Sequence, residues 1–111
     1  MKTLLTAFLI CLSCFANAQD LKQYFGQAVF HSDDKVLIKS VEEEIRNTEN
    51  IWMVRIDPTN GNVLIFTTEI SNWTTDDLSD LFGKYADKLG CLFVGVNRQD
   101  KIKTFPFKDC K

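Results

Sequence analysis

The sole histidine of the chain, His31, stands two and three residues ahead of Asp33 and Asp34. An imidazole beside two carboxylates is a hard, oxygen-rich ligand set suited to Zn2+ or Mn2+, and the same imidazole can serve as a base. Asp33 and Asp34 also follow Ser32 at the opening of a helical pattern, where short polar side chains cap and acids favour the dipole. Capping is the more ordinary role, so metal handling by His31, Asp33 and Asp34 is the alternative reading. The other reactive groups are four cysteines, Cys11, Cys14, Cys91 and Cys110. No P-loop, dinucleotide fingerprint or zincin motif occurs, and no nucleophile sits in a recognisable motif for a hydrolytic triad. No catalytic residue and no cofactor are expected.

What surrounds the cysteines decides their chemistry. Met1-Lys2-Thr3 is a basic start, Leu4 to Phe15 an apolar run, and Ala16-Asn17-Ala18 the small-x-small pattern of a signal-peptidase site. Residues 1–18 read as a cleavable leader of bacterial type, too short to span a membrane, and residues 19–111 as one exported domain, periplasmic or secreted. Lipidation at Cys14 is the rival, but Cys11-Leu12-Ser13-Cys14 has the wrong residue at the first place of the box. With the leader gone, Cys91 and Cys110 remain, and an even pair in an oxidising compartment forms a disulfide by default.

The elements that position these groups follow from periodicity. Tyr24 to His31 reads as a strand. A helix capped by Ser32 or Asp33 runs to about Asn47, with Leu37, Ile38, Val41 and Ile45 on one face and Glu42, Glu43 and Glu44 on the wet side. Ile51 to Ile56 and Val63 to Thr68 flank Asn60-Gly61, a hairpin signal. Thr74-Thr75-Asp76-Asp77 is a capping box for a helix to Leu89 that Gly90 stops. Cys91 opens a strand through Val96. After a turn at Asn97 to Asp100, Lys101 to Phe107 returns as a fifth strand, placing Cys91 opposite Cys110. Pro106 and the lysines suit an edge. The order β-α-β-β-α-β, plus one β, predicts a ferredoxin-like α+β sandwich with an appended C-terminal strand.

Within that order the chain, from Gln27 to Val96, resembles a heavy-metal-associated domain. Val41-Glu42 stands where that family has its helical Val-Glu, and Val54-Arg55-Ile56-Asp57 with Gly61-Asn62-Val63 resembles its hairpin; Leu78 and Leu81 fit its second helix. The family's metal-carrying members use a Met-x-Cys-x-x-Cys loop. Counting back from Val41-Glu42, the two cysteine positions fall on Asp34 and Leu37, so the resemblance implies a member without the metal site. Acylphosphatases share the architecture, but their Gly-rich, Arg-bearing phosphate loop does not follow the first strand. The peptidoglycan-binding domains of cell-division proteins share the element order, but their Val-Gln-Val-Gly-Ser-Phe opening is not matched by Gln27-Ala28-Val29-Phe30-His31.

Thirteen basic residues against fifteen acidic ones give a net charge of −2, which argues against nucleic acid as a partner. No stretch of the mature chain is apolar enough to span a membrane. The lysines near the C-terminus protect an edge. Trp52, Trp73, Phe105 and Phe107 are candidates for a docking surface, and Arg55 joins Trp52 on the strand expected at the free edge. Asn72-Trp73-Thr74 fits a glycosylation sequon, but Thr74 is used as a cap and the leader is bacterial in type. The expected function is an exported, non-enzymatic binding module for a protein or envelope component. The exported chain, analysed unreduced by mass spectrometry, should be lighter than the dithiol by the two hydrogens lost on joining Cys91 to Cys110. Two alkylatable thiols would contradict that pairing.

Overall fold

The computed structural model describes residues 21–105 and 107. The leader with Cys11 and Cys14, together with Pro106 and residues 108–111 including Cys110, lies outside the described residues. The architecture is α+β, with one four-stranded antiparallel sheet and a few short helices. In chain order the elements are β1 (Lys22–Phe30), α1 (Lys35–Arg46), β2 (Ile51–Ile56), β3 (Asn62–Ile70), α2 (Thr75–Asp80), a 3-10 helix (Gly83–Lys88) and β4 (Leu89–Val96). The strands lie side by side as β2-β3-β1-β4, every neighbouring pair antiparallel.

The helices cover one face of the sheet. Along β1 the alternate residues Ala28 and Phe30 are fully or almost fully buried. They join Ile38, Val41 and Ile45 of α1, Val54 and Ile56 of β2, Val63 and Ile65 of β3, and Trp73, Leu78 and Phe82 in one core. Gly26 faces this side too. A Cβ there would come within 2.9 Å of both the Trp73 ring and Leu78, so the missing side chain is what lets the indole lie against β1.

Asp34 caps α1, rather than Ser32 or Asp33. Its Oδ1 accepts hydrogen bonds from the N–H groups of Val36 and Leu37, both at 3.1 Å, while Ser32 Oγ accepts from the Asp34 N–H. Glu43 and Glu44 are exposed, whereas Glu42 turns toward the sheet. Glu42 Oε1 accepts from the Ile56 N–H at 3.2 Å and lies 3.7 Å from Arg46.

The second helical region differs more. The capping box at Thr74 forms, with Thr74 N–H donating to Asp77 Oδ2 at 2.8 Å and Asp77 N–H to Thr74 Oγ1. The α-helix nevertheless ends at Asp80 rather than Leu89. Gly83 has φ of +54°, which interrupts the i→i−4 ladder, and the chain continues as a 3-10 helix. Phe82, just before the break, is stacked on Phe30 with ring centroids 5.7 Å apart. Gly90 lies inside β4 and not at a helix end.

The expected fifth strand is absent from the described residues. Lys101–Phe105 pairs with no strand, and Lys103 instead engages a side chain of β1, as described below. The turn after β4 is held by Gln99 and Asp100 N–H groups donating to the Val96 carbonyl, and by Val96 N–H donating to Asp100 Oδ2 at 2.7 Å.

The β2–β3 connection ties the hairpin to β1. Gly61 N–H donates to Asp57 O, and Gly61 O accepts from Phe30 N–H, both at 2.8 Å. Gly61 has φ of +77°, and a Cβ there would sit 2.1 Å from the Phe30 carbonyl oxygen. Gly83 also has positive φ but open space around its Cβ position. Gly61→Ala should therefore cost about 2–4 kcal/mol, combining backbone strain with the clash, whereas Gly83→Ala should cost about 1 kcal/mol. Urea denaturation of the two variants measures both, and equal losses would contradict the assignment.

Candidate functional site

The face of the sheet away from the helices is built by register. One row of directly paired residues crosses all four strands as Met53, Phe66, Phe25 and Gly95; a second runs Arg55, Leu64, Gln27 and Phe93. Phe25 lies 6.3 Å from Phe66 and 5.8 Å from Phe93 between ring centroids, both tilted. Gly95 makes the room, since a Cβ there would fall 2.6 Å from the Phe25 ring.

Trp52 extends the first row to the free edge. Ile51 pairs with Thr67 and Met53 with Phe66, so β2 carries one extra residue at Trp52. Strict alternation would point Trp52 toward the helices, opposite Met53. The bulge re-aims it. Its indole meets Phe66 edge-on, 6.1 Å between centroids at 83°, and stays 67 % exposed; Arg55 on the same strand is exposed too. β2 is a sheet edge, but its backbone is partly engaged. Ile56 N–H already donates to Glu42. Because N–H groups alternate sides along a strand, Val54 N–H is the next one directed outward. A bulge and a side-chain plug both discourage strand addition, so this region presents its side chains more than its backbone.

At the other end of the rows the C-terminal segment lies on the same face. Gln27 is fully buried, and its amide makes two reciprocal bonds to one residue: Nε2 donates to Lys103 O and Oε1 accepts from Lys103 N–H, each at 2.8 Å. The amide takes the part a neighbouring strand would play. Each neutral bond contributes on the order of 1 kcal/mol net, and leaving the buried amide unpaired would cost about 1–3 kcal/mol per group. Lys103 Nζ stands 4.2 Å above the Phe93 ring, a cation–π contact.

The candidates picked out by sequence are dispersed. Trp73 is 9 % exposed and belongs to the core, not to a docking surface, because Gly26 opens a slot for it in β1. Phe105 and Phe107 are half-buried and lie 4.7 Å apart between ring centroids, off any strand. His31 is exposed, with its ring against Gly90, where a Cβ would lie 2.9 Å from Nε2. Asp34 is used by the helix cap and Asp33 is exposed, so the three are not brought together as ligands. Among the described residues no group of three His, Cys, Asp or Glu side chains is placed to hold a metal ion. Cys91 sits at a bulge in β4 with φ of +57°, and Cys110 lies outside the described residues. Sequence reasoning passed over Gln27, Phe25, Phe66 and Phe93. The signal was the alternation in Tyr24–Phe30, where the second set, Phe25, Gln27 and Val29, is also poor in charge.

A cleft of about 550 Å³ opens elsewhere, between the α1–β2 and β3–α2 connections, lined by Glu49, Asn50, Ile51, Glu69, Trp73 and Asp77 among others. Asp77 there is committed to the capping box. Among the described residues no helix is long and apolar enough to cross a membrane. No family model, no curated protein and no solved structure matches the chain.

The two tryptophans should separate cleanly in stability. Trp73→Ala should destabilise by about 3–5 kcal/mol, the cost of emptying a core site. Trp52→Ala should lose no more than about 1.5 kcal/mol, the worth of one exposed aromatic pair. Chemical denaturation checks this, and comparable losses would contradict the placement.

Proposed function

We propose that the chain is an exported, non-enzymatic binding module of ferredoxin-like arrangement, working in the periplasm or outside the cell through the open face of its sheet. The carrying observation is the aromatic row that ends in exposed Trp52, on the same edge strand as exposed Arg55. A large indole left 67 % in water costs burial that a partner would recover, and aromatic and Arg side chains are the usual anchors of interfaces. The order β2-β3-β1-β4 with antiparallel pairing, and helices on one face, supports the ferredoxin-like reading.

The heavy-metal-associated resemblance stays within the same proposal as a fold relationship without the metal chemistry. Val41 packs in the core and Glu42 bonds the edge strand, which are structural roles. Asp34, at the first of the family's cysteine positions, caps a helix. The proposal keeps the Cys91–Cys110 pairing, which would fasten the C-terminal segment near the open face. The partner is a protein or envelope component rather than nucleic acid, in keeping with the acidic balance of the chain.

Affinity capture on the mature chain from an envelope fraction, with captured species identified by mass spectrometry, tests this. Trp52→Ala with Arg55→Glu should abolish capture of the specific partner, and Lys101→Glu should leave it. Capture indifferent to the Trp52 and Arg55 changes would refute the proposal.

A further inference from the structure

The residue that holds Lys103 is unusual in what it reads. Gln27 is fully buried, and its amide nitrogen as donor and amide oxygen as acceptor both engage the backbone of a single residue in a segment that belongs to no strand. Two bonds to a main-chain N–H and C=O carry no preference for the side chain at that position. The preference comes from Phe93, whose ring receives the side-chain ammonium of the same residue at 4.2 Å. Phe93 and Gln27 are direct cross-strand partners, so the backbone reader and the cation reader are one rigid unit of β1 and β4. Phe25 is 0 % exposed although it faces away from the helices, and the part of the chain clasped over its neighbours is this same segment.

We infer that Gln27 and Phe93 form a seat for an extended peptide with a basic residue at the clasped position, and that Lys101–Phe105 fills it as an internal ligand which such a peptide displaces. The inference rests on reading the open face as a binding surface, and it names the partner class: an extended, basic peptide rather than a folded surface. The occupant argues for itself. Among the described residues the segment makes no ladder bonds and Lys103 is held by one amide and one ring, and everything those groups recognise is present in any chain bearing a lysine in an extended stretch. The second paired row leads away from the seat, through Leu64 to Arg55 on the strand that carries Trp52, so a longer peptide would run across the sheet toward the edge with the exposed indole.

The test uses the full mature chain and a fluorescent synthetic peptide with the sequence of residues 101–107. Lys103→Pro in the protein removes the internal N–H donor and the cation while leaving Gln27 and Phe93 in place. The peptide should bind this variant at least about tenfold more tightly than the wild type, because the competing internal occupant is lost. Adding Gln27→Leu should abolish the gain. Equal affinity for wild type and Lys103→Pro, or binding that survives Gln27→Leu, would overturn the inference. Since Gln27 is fully buried, hydrogen exchange on the wild type provides a reading independent of that variant: the Lys103 amide should be protected beyond its neighbours Ile102 and Thr104. Exchange at the unprotected rate would equally refute it. Failure of the peptide to bind leaves the Trp52 and Arg55 dependence of partner capture standing, and the reverse result also separates the two claims.

Discussion

The structure depends on β1 being central and buried on both faces while helices cover only one. Ala28 and Phe30 turn inward to α1 and to Phe82; Phe25 and Gln27, fully buried as well, turn the other way. Among the described residues no helix covers that side. The cover is assembled from what remains: aromatic neighbours Phe66 and Phe93 on the flanking strands, and a C-terminal segment attached by a side-chain amide. Burying an amide is costly unless every polar atom is paired. Gln27 therefore constrains its partner strictly, since a shift of one residue along the segment would have to replace both bonds.

Irregularities in the sheet do much of the positioning. Trp52 is the extra residue of β2. On β3 an extra residue opposite Tyr24 is accommodated by buried Thr67, whose Oγ1 accepts from Tyr24 N–H at 3.0 Å. β4 bulges at Cys91 and Leu92, with Cys91 in the left-handed region. Each bulge adds twist and changes which face the next side chain reaches. The one in β2 moves an indole from the core side to the open side, and the one in β4 sets the geometry at the cysteine.

Edge management and surface display are connected through α1. Glu42 engages the Ile56 N–H at the outer side of β2, and the bulge at Trp52 disturbs the same edge. Neither device hides the side chains. A strand that is poor at adding another strand, yet rich in exposed aromatic and cationic groups, is suited to contact through its face. That is why the open face, rather than the backbone of β2, is the surface on which the functional proposals stand.

The strands, the first helix, the Asn60-Gly61 turn and the Thr74 capping box were legible in the sequence, because each is specified by local rules: alternation, helical spacing, positive φ at glycine, and a side chain reaching a nearby N–H. The length of the second helix was not. Its apolar spacing continues past Gly83, and only the left-handed backbone there, with Phe82 drawn onto Phe30, decides that the α-helix ends early. The roles of the two tryptophans were likewise beyond local pattern: a glycine on another strand makes the slot for Trp73, and a register slip against β3 turns Trp52 outward. The C-terminal segment reads as a strand from its composition, but its partner is a glutamine side chain 76 positions away. Hydrophobic periodicity determines which residues seek burial. Which of two faces they reach, and what covers them there, is decided by pairing between strands distant in sequence.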